Sequence, residues 1–188
     1  MSLRIKLLTG AVAGAVLFGA TPLTAQSSGR EGFFIGFGFG GGGGEVTGNA
    51  EAEGGTGWLT LGGTVSPKVR LAADFNGLVL DEADRLDLGT STLSVLYYPS
   101  ASGNFFFKGG VGAATVAMRV PGPDGAGVGY GTVLGAGYDL RVGRRISITP
   151  QFTVFGGRTG DIEDDDGNAI ANDVEFGVAS LSIGVVFH

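Results

Sequence analysis

Residues able to carry acid–base or nucleophilic chemistry are scarce in this chain of 188 residues, which has one histidine, His188, and no cysteine. The missing cysteines exclude disulfides, thiolate metal sites, a cysteine nucleophile and a lipidated N-terminal cysteine. Acyl-transfer and hydrolytic sites commonly use a histidine as general base, but His188 sits at the end of a strand-like run. A Ser–His arrangement is not expected there, so the sequence points away from an enzyme. The acidic run Asp161–Asn168 suggests hard-cation ligands, yet it misses the calcium-loop register: the sixth position from Asp161 is Asp166 where that pattern needs glycine. A solvated acidic loop is the plainer reading. Weak calcium or magnesium binding, bridging an anionic lipopolysaccharide surface, is the alternative.

Five other polar residues follow a different pattern. In Val69–Asn76, Val69, Leu71, Ala73 and Phe75 alternate with Arg70, Ala72, Asp74 and Asn76, which puts Arg70 and Asp74 on one face of a strand. Lys108, Asp139 and Gln151 each occupy the small or polar phase of their own run. If the runs holding Lys108 and Asp139 form a hairpin around Asp124, these two face each other as an ion pair, with Arg70, Asp74 and Gln151 in the same interior. Such a cluster suits either a polar gate along a narrow ion path or a charge-paired plug. Buried charges normally occur paired, which favours the plug. No motif implies a cofactor.

The elements that must position these residues are eight runs with a two-residue period. They are Gly32–Gly40, Trp58–Ser66, Val69–Asn76, Thr90–Tyr98, Phe105–Met118, Val128–Leu140, Ile146–Phe155 and Val174–Phe187. The sixth is the most regular: Val128, Tyr130, Thr132, Leu134, Ala136, Tyr138 and Leu140 alternate with Gly129, Gly131, Val133, Gly135, Gly137 and Asp139. Pro150 removes one ladder donor from the seventh. In the eighth, the phase of Val174, Phe176 and Val178 conflicts with that of Leu181, Ile183, Val185 and Phe187. A bulge near Ser180 or an inward apolar patch would reconcile the two. Gly41–Gly57, Asp81–Gly89 and Gly156–Asp173 read as long loops, Arg119–Gly127 as intermediate, and Ser66–Lys68, Pro99–Asn104 and Arg141–Arg145 as short turns, so that long and short connections alternate.

Which face is inside follows from width. An eight-stranded barrel leaves a lumen only wide enough to be filled by side chains or to hold one small ligand. The face carrying Gly36, Gly38, Gly110, Gly112, Gly129, Gly131, Gly135 and Gly137 fits inside; Phe33, Phe37, Phe105, Phe107, Tyr138 and Phe187 do not, and they form a lipid-facing wall instead. Residues 1–25 have the layout of a cleaved secretory signal, with Arg4 and Lys6 before the apolar run Leu7–Ala20, leaving 26–188 as one barrel domain. Loss of Arg4 and Lys6 takes the net charge from −6 to −8, and no basic stripe remains to bind nucleic acid.

The phrases Phe107-Lys108-Gly109-Gly110-Val111-Gly112, Gly129-Tyr130-Gly131 with Gly135-Ala136-Gly137-Tyr138, Ile146-Ser147-Ile148-Thr149-Pro150-Gln151 and the closing Gly184-Val185-Val186-Phe187 occur in an order that resembles the eight-stranded outer-membrane barrels of the OmpA-like and OmpX-like kind. The resemblance implies an all-β, up-and-down antiparallel barrel in the outer membrane. It implies a monomer surrounded by membrane lipid and lipopolysaccharide and inserted by the barrel-assembly machinery. Gly184 and Phe187 would form the assembly signal, although His188 follows where that pattern ends on the aromatic. The chain stops with its eighth strand, so the peptidoglycan-binding domain of longer relatives is not expected. The function expected is non-enzymatic, in envelope structure or through the extracellular loops. The alternative is a narrow porin or a carrier for small solutes or apolar molecules.

Overall fold

The computed structural model describes residues 32–47, 50–79, 85–119, 125–160, 162–164, 169–171 and 173–188. The signal expected over residues 1–25 and most of the acidic run Asp161–Asn168 lie outside them. Eight long strands account for most of the described chain: β1 Phe33–Val46, β2 Ala50–Ser66, β3 Val69–Val79, β4 Arg85–Tyr97, β5 Phe105–Arg119, β6 Gly125–Tyr138, β7 Ile146–Thr159 and β8 Glu175–Phe187. Each pairs antiparallel with its chain neighbour. Pairing of β1 with β8, from Ile35↔Phe187 to Val46↔Phe176, closes the sheet. Closure satisfies every ladder without an open edge, which is what a strand protein must achieve inside hydrocarbon.

The alternation read from the sequence sets the two faces. Along β8 exposed and buried residues alternate without a break from Glu175 to Ser182, and its registers with β1 and β7 run on without a shift. The phase conflict is therefore resolved by an inward apolar patch, Val174, Phe176 and Val178, and no bulge forms near Ser180. Pro150 sits opposite Ile183 and the ladder continues past it. A register shift does occur on β2, between Thr64 and Ser66 at the turn into β3.

Three loop assignments change. Gly41–Val46 and Ala50–Gly57 belong to β1 and β2, paired from Gly41↔Gly55 to Val46↔Ala50, so the expected long first loop shrinks to residues 47–49. A backbone ladder needs only N–H and C=O groups, which glycine supplies, whereas a period read from side chains is blind to a glycine run. β4 likewise begins at Arg85, inside the expected second loop. Within the third, Ile162–Asp164 and Ala169–Ala171 form a small hairpin that adds to β6 through Gly125↔Asp164. Only the β7–β8 connection is long. The asymmetry between the two barrel ends comes mainly from strands that overhang the lipid.

Outward side chains form an apolar wall, with Phe39 76%, Leu93 77% and Leu181 69% exposed among many others. A continuous patch of that size is stable only against another apolar phase. Glu45, Glu53, Arg158 and Glu175 point outward at the loop end and mark where the wall stops. At the turn end lies an aromatic girdle that includes Phe105 and Phe107, edge to face at 4.9 Å, and Phe37 and Phe187, stacked at 6.3 Å. Between them, Gly177–Phe187 spans about 25 Å at ~3.3 Å per residue and a ~40° tilt, the height of an outer-membrane apolar band.

Candidate functional site: the barrel lumen

The lumen is built in layers from the inward phase of each strand. At the turn end, His188 turns inward and bridges two strands: its Nδ1 lies 3.0 Å from Arg70 Nη2 on β3 and its Nε2 2.9 Å from Ser147 Oγ on β7. Its backbone N–H also donates to the Arg145 carbonyl at 2.9 Å. Arginine has no acceptor, so Nδ1 must accept from Arg70 and Nε2–H must donate to Ser147. A Ser–His contact thus exists where none was expected. Its polarity is the reverse of a nucleophile–base pair, because the nitrogen facing the hydroxyl already carries the proton.

All five residues expected inside are there and at least 95% buried: Arg70, Asp74, Lys108, Asp139 and Gln151. Their partnership differs from the one read off the sequence. Lys108 sits opposite Gly135 in the β5–β6 ladder, and Asp139 lies beyond the end of β6, with its N–H on the Asn104 carbonyl at 2.9 Å. The β5–β6 register is therefore offset from the one that a hairpin around Asp124 would give, and Lys108 does not face Asp139. Lys108 Nζ instead lies 2.8 Å from Asp74 Oδ2, while Arg70 Nη1 approaches Asp139 Oδ2 at 3.8 Å.

Each carboxylate is held by further donors. Asp139 accepts from Tyr98 Oη and Thr149 Oγ1, both at 2.9 Å, and Asp74 accepts from Thr60 Oγ1 and from Asn76 Nδ2 at 3.2 Å. The Arg70 guanidinium lies 4.6 Å from the Phe34 ring centroid and 5.3 Å from that of Tyr98, so two aromatic faces stabilise a cation buried in the lumen. Thr60, Asn76, Tyr98, Ser147, Thr149 and His188 were not assigned to the cluster from sequence, although each lies in the inward phase of its strand. The phase was legible, but the contact depends on register.

Aromatic and small side chains fill the space beside this network. Trp58, on β2, lies over a glycine bed contributed by β1 and β8. A Cβ added at Gly184 would fall 2.3 Å from Trp58 Cζ2 and 2.8 Å from the Gly38 Cα, so no larger residue fits there without moving backbone. Phe106 covers Gly137 in the same way. Phe34, Trp58, Ala72, Leu96, Tyr98, Phe106 and Val186 make one apolar cluster around the ion pairs. Nearer the loops a second cluster fills the lumen with Val46, Leu78, Leu88, Ala114, Val116, Val133, Phe155, Val174, Phe176 and Val178, none more than 8% exposed. Within the first cluster, a cavity of about 20 Å³ is bordered by Trp58, Arg70, Phe106, Lys108, Asp139 and Gln151, among others. Among the described residues no cluster of His, Asp and Glu could hold a metal ion.

No protein-family model and no curated protein sequence matches the chain. Solved structures do. Neisserial surface protein A matches 82% of this chain and 96% of its own, with a TM-score of 0.58 at 16% identity. Ail, the attachment invasion locus protein of Yersinia pestis, matches 84% of this chain and 99% of its own, with a TM-score of 0.52 at 12% identity. The chain folds as an outer-membrane β-barrel. At these identities the likeness is one of fold, and it covers nearly all of each solved chain. A closed barrel with an apolar wall of this height is an integral membrane protein, and this architecture resides in the outer membrane.

Proposed function

We propose that this barrel is non-enzymatic and closed, and that it acts in envelope structure or through its extracellular rim. The observation that carries the reading is the double seal of the lumen. An ion-paired layer around Arg70, Asp74, Lys108, Asp139 and Gln151 is backed on the loop side by the apolar layer of Leu78, Leu88, Val116, Val133, Phe155 and Phe176. An ion crossing the second layer would shed its hydration with nothing to replace it. The reversed polarity of the Ser147–His188 contact supports a role without catalysis.

The polar cluster is then a plug that fills and orders the lumen. Gly184 and Phe187 serve as the assembly signal, Gly184 by admitting Trp58 and Phe187 by presenting an outward ring at the girdle. Every long strand finds both its partners within one chain, which fits a monomer bounded by lipid and lipopolysaccharide.

The test is conductance. Folded protein, verified by heat-modifiable electrophoretic mobility, is reconstituted into a planar bilayer. Both the wild type and Lys108→Ala are expected to be silent, because removing the lysine leaves the apolar layer in place. Stable current steps, altered by Lys108→Ala, would overturn the closed reading in favour of a narrow porin or carrier.

A further inference from the structure

The small lumen cavity has an unbalanced lining. Four nitrogens of its bordering residues have no hydrogen-bond partner: Trp58 Nε1, Arg70 Nε, Gln151 Nε2 and Lys108 Nζ, the last touching only the Asp74 carboxylate as an ion pair. All four side chains belong to residues at least 93% buried, so bulk water does not serve them. The nearby carboxylates already hold other donors: both Asp139 oxygens take a hydroxyl proton, and the two Asp74 oxygens accept from Thr60 and Asn76. Buried donors without acceptors are costly and rare.

From this lining we propose that the cavity binds one small monatomic anion of the chloride class. At about 20 Å³ it has room for a single water-sized guest, which excludes phosphate, sulfate and organic carboxylates. A water molecule in that place accepts two hydrogen bonds and must find acceptors for its own two protons. A halide accepts four and donates none, which matches a lining of four donors. Arg70 and Lys108 are balanced by Asp74 and Asp139, so the anion is held by N–H donors rather than by net charge. Trp58 Nε1–H and Gln151 Nε2–H supply the two neutral contacts, and Arg70 Nε–H and Lys108 Nζ–H the two charge-assisted ones.

Trp58 is the sole tryptophan of the chain and borders the cavity, so its fluorescence reports occupancy directly. The full chain is refolded into lipid vesicles and titrated with sodium bromide against sodium gluconate at constant ionic strength, bromide being a heavy-atom quencher of indole. The expected result is saturable quenching that chloride reverses by competition. In Gln151→Leu the half-saturating bromide concentration should rise about tenfold, the loss of one hydrogen bond to a charged group. If that variant does not fold, the wild-type competition decides alone. Absent quenching, or quenching strictly linear in bromide and indifferent to chloride, would overturn the proposal and leave the four donors to water.

Discussion

The pairing of Lys108 with Asp74 rather than Asp139 is open to a direct energetic test. At the observed 2.8 Å, Coulomb attraction at an effective dielectric constant of about 20 is near 6 kcal/mol. Desolvation of two groups at most 2% exposed removes much of this, but truncating one partner strands the other, at a cost of about 3–5 kcal/mol. Asp74→Ala should therefore destabilise the barrel by roughly that amount, since it also deprives Thr60 and Asn76 of their acceptor. Lys108→Met should cost less, because the Asp74 carboxylate keeps those two donors. The double variant Asp74→Ala/Lys108→Met should recover most of the loss, giving a coupling of about 3 kcal/mol. The same cycle with Asp139→Ala and Lys108→Met should give less than about 1 kcal/mol, since these two share no ion-pair contact in the structure. The assay is equilibrium urea unfolding in lipid vesicles followed by Trp58 emission. A coupling below about 1 kcal/mol for Asp74 with Lys108, or a larger one for Asp139, would refute the assigned register of the β5–β6 hairpin and the network built on it.

Three further outcomes follow from other parts of the barrel. Replacing Leu134, 67% exposed on the outer face near mid-bilayer, by lysine should cost about 2–4 kcal/mol in lipid, whereas Tyr130→Lys, near the charged loop-end rim, should cost about 0–1; equal costs at both depths would contradict the assigned band. Gly184→Val should prevent or strongly slow folding by colliding with Trp58 and the Gly38 backbone, and Trp58→Ala should rescue it only in part because the backbone clash persists, as heat-modifiable mobility would show. His188→Ala should lower stability by about 1–3 kcal/mol by orphaning Arg70 Nη2 and Ser147; an unchanged urea midpoint would mean that the terminal bridge is not formed.

Period-two alternation made the strands and their two faces legible, because lipid on one side and a narrow interior on the other leave each position little choice. It failed where side chains fall silent: the run Gly40–Gly44 carries no alternation, yet it pairs on both sides with β2 and β8. The five interior polar residues were legible for the same reason as the strands. Their pairing was not, since it depends on the β5–β6 register, which differs from that of a hairpin centred on Asp124 by enough to move every facing pair by four residues. His188 was on the correct face, but its contact with Arg70 joins strands far apart in sequence, and only closure of the barrel reveals it.

Closure also sets the order of events in assembly. The seam pairs Ile35 with Phe187 and Val46 with Phe176, contacts of nearly the greatest sequence separation the described chain allows, and non-local pairing of this kind is slow because loop-closure entropy is lost before contacts repay it. Until β8 arrives, β1 and β7 each present a bare edge, and the Gly-rich upper half of β1 has no side chains to discourage pairing with another copy. Neither the His188–Arg70 bridge nor the complete bed of Gly36, Gly38 and Gly184 under Trp58 exists before that moment. Sealing the seam is thus the committing step of folding, and an exported chain is most vulnerable to aggregation in the interval before it.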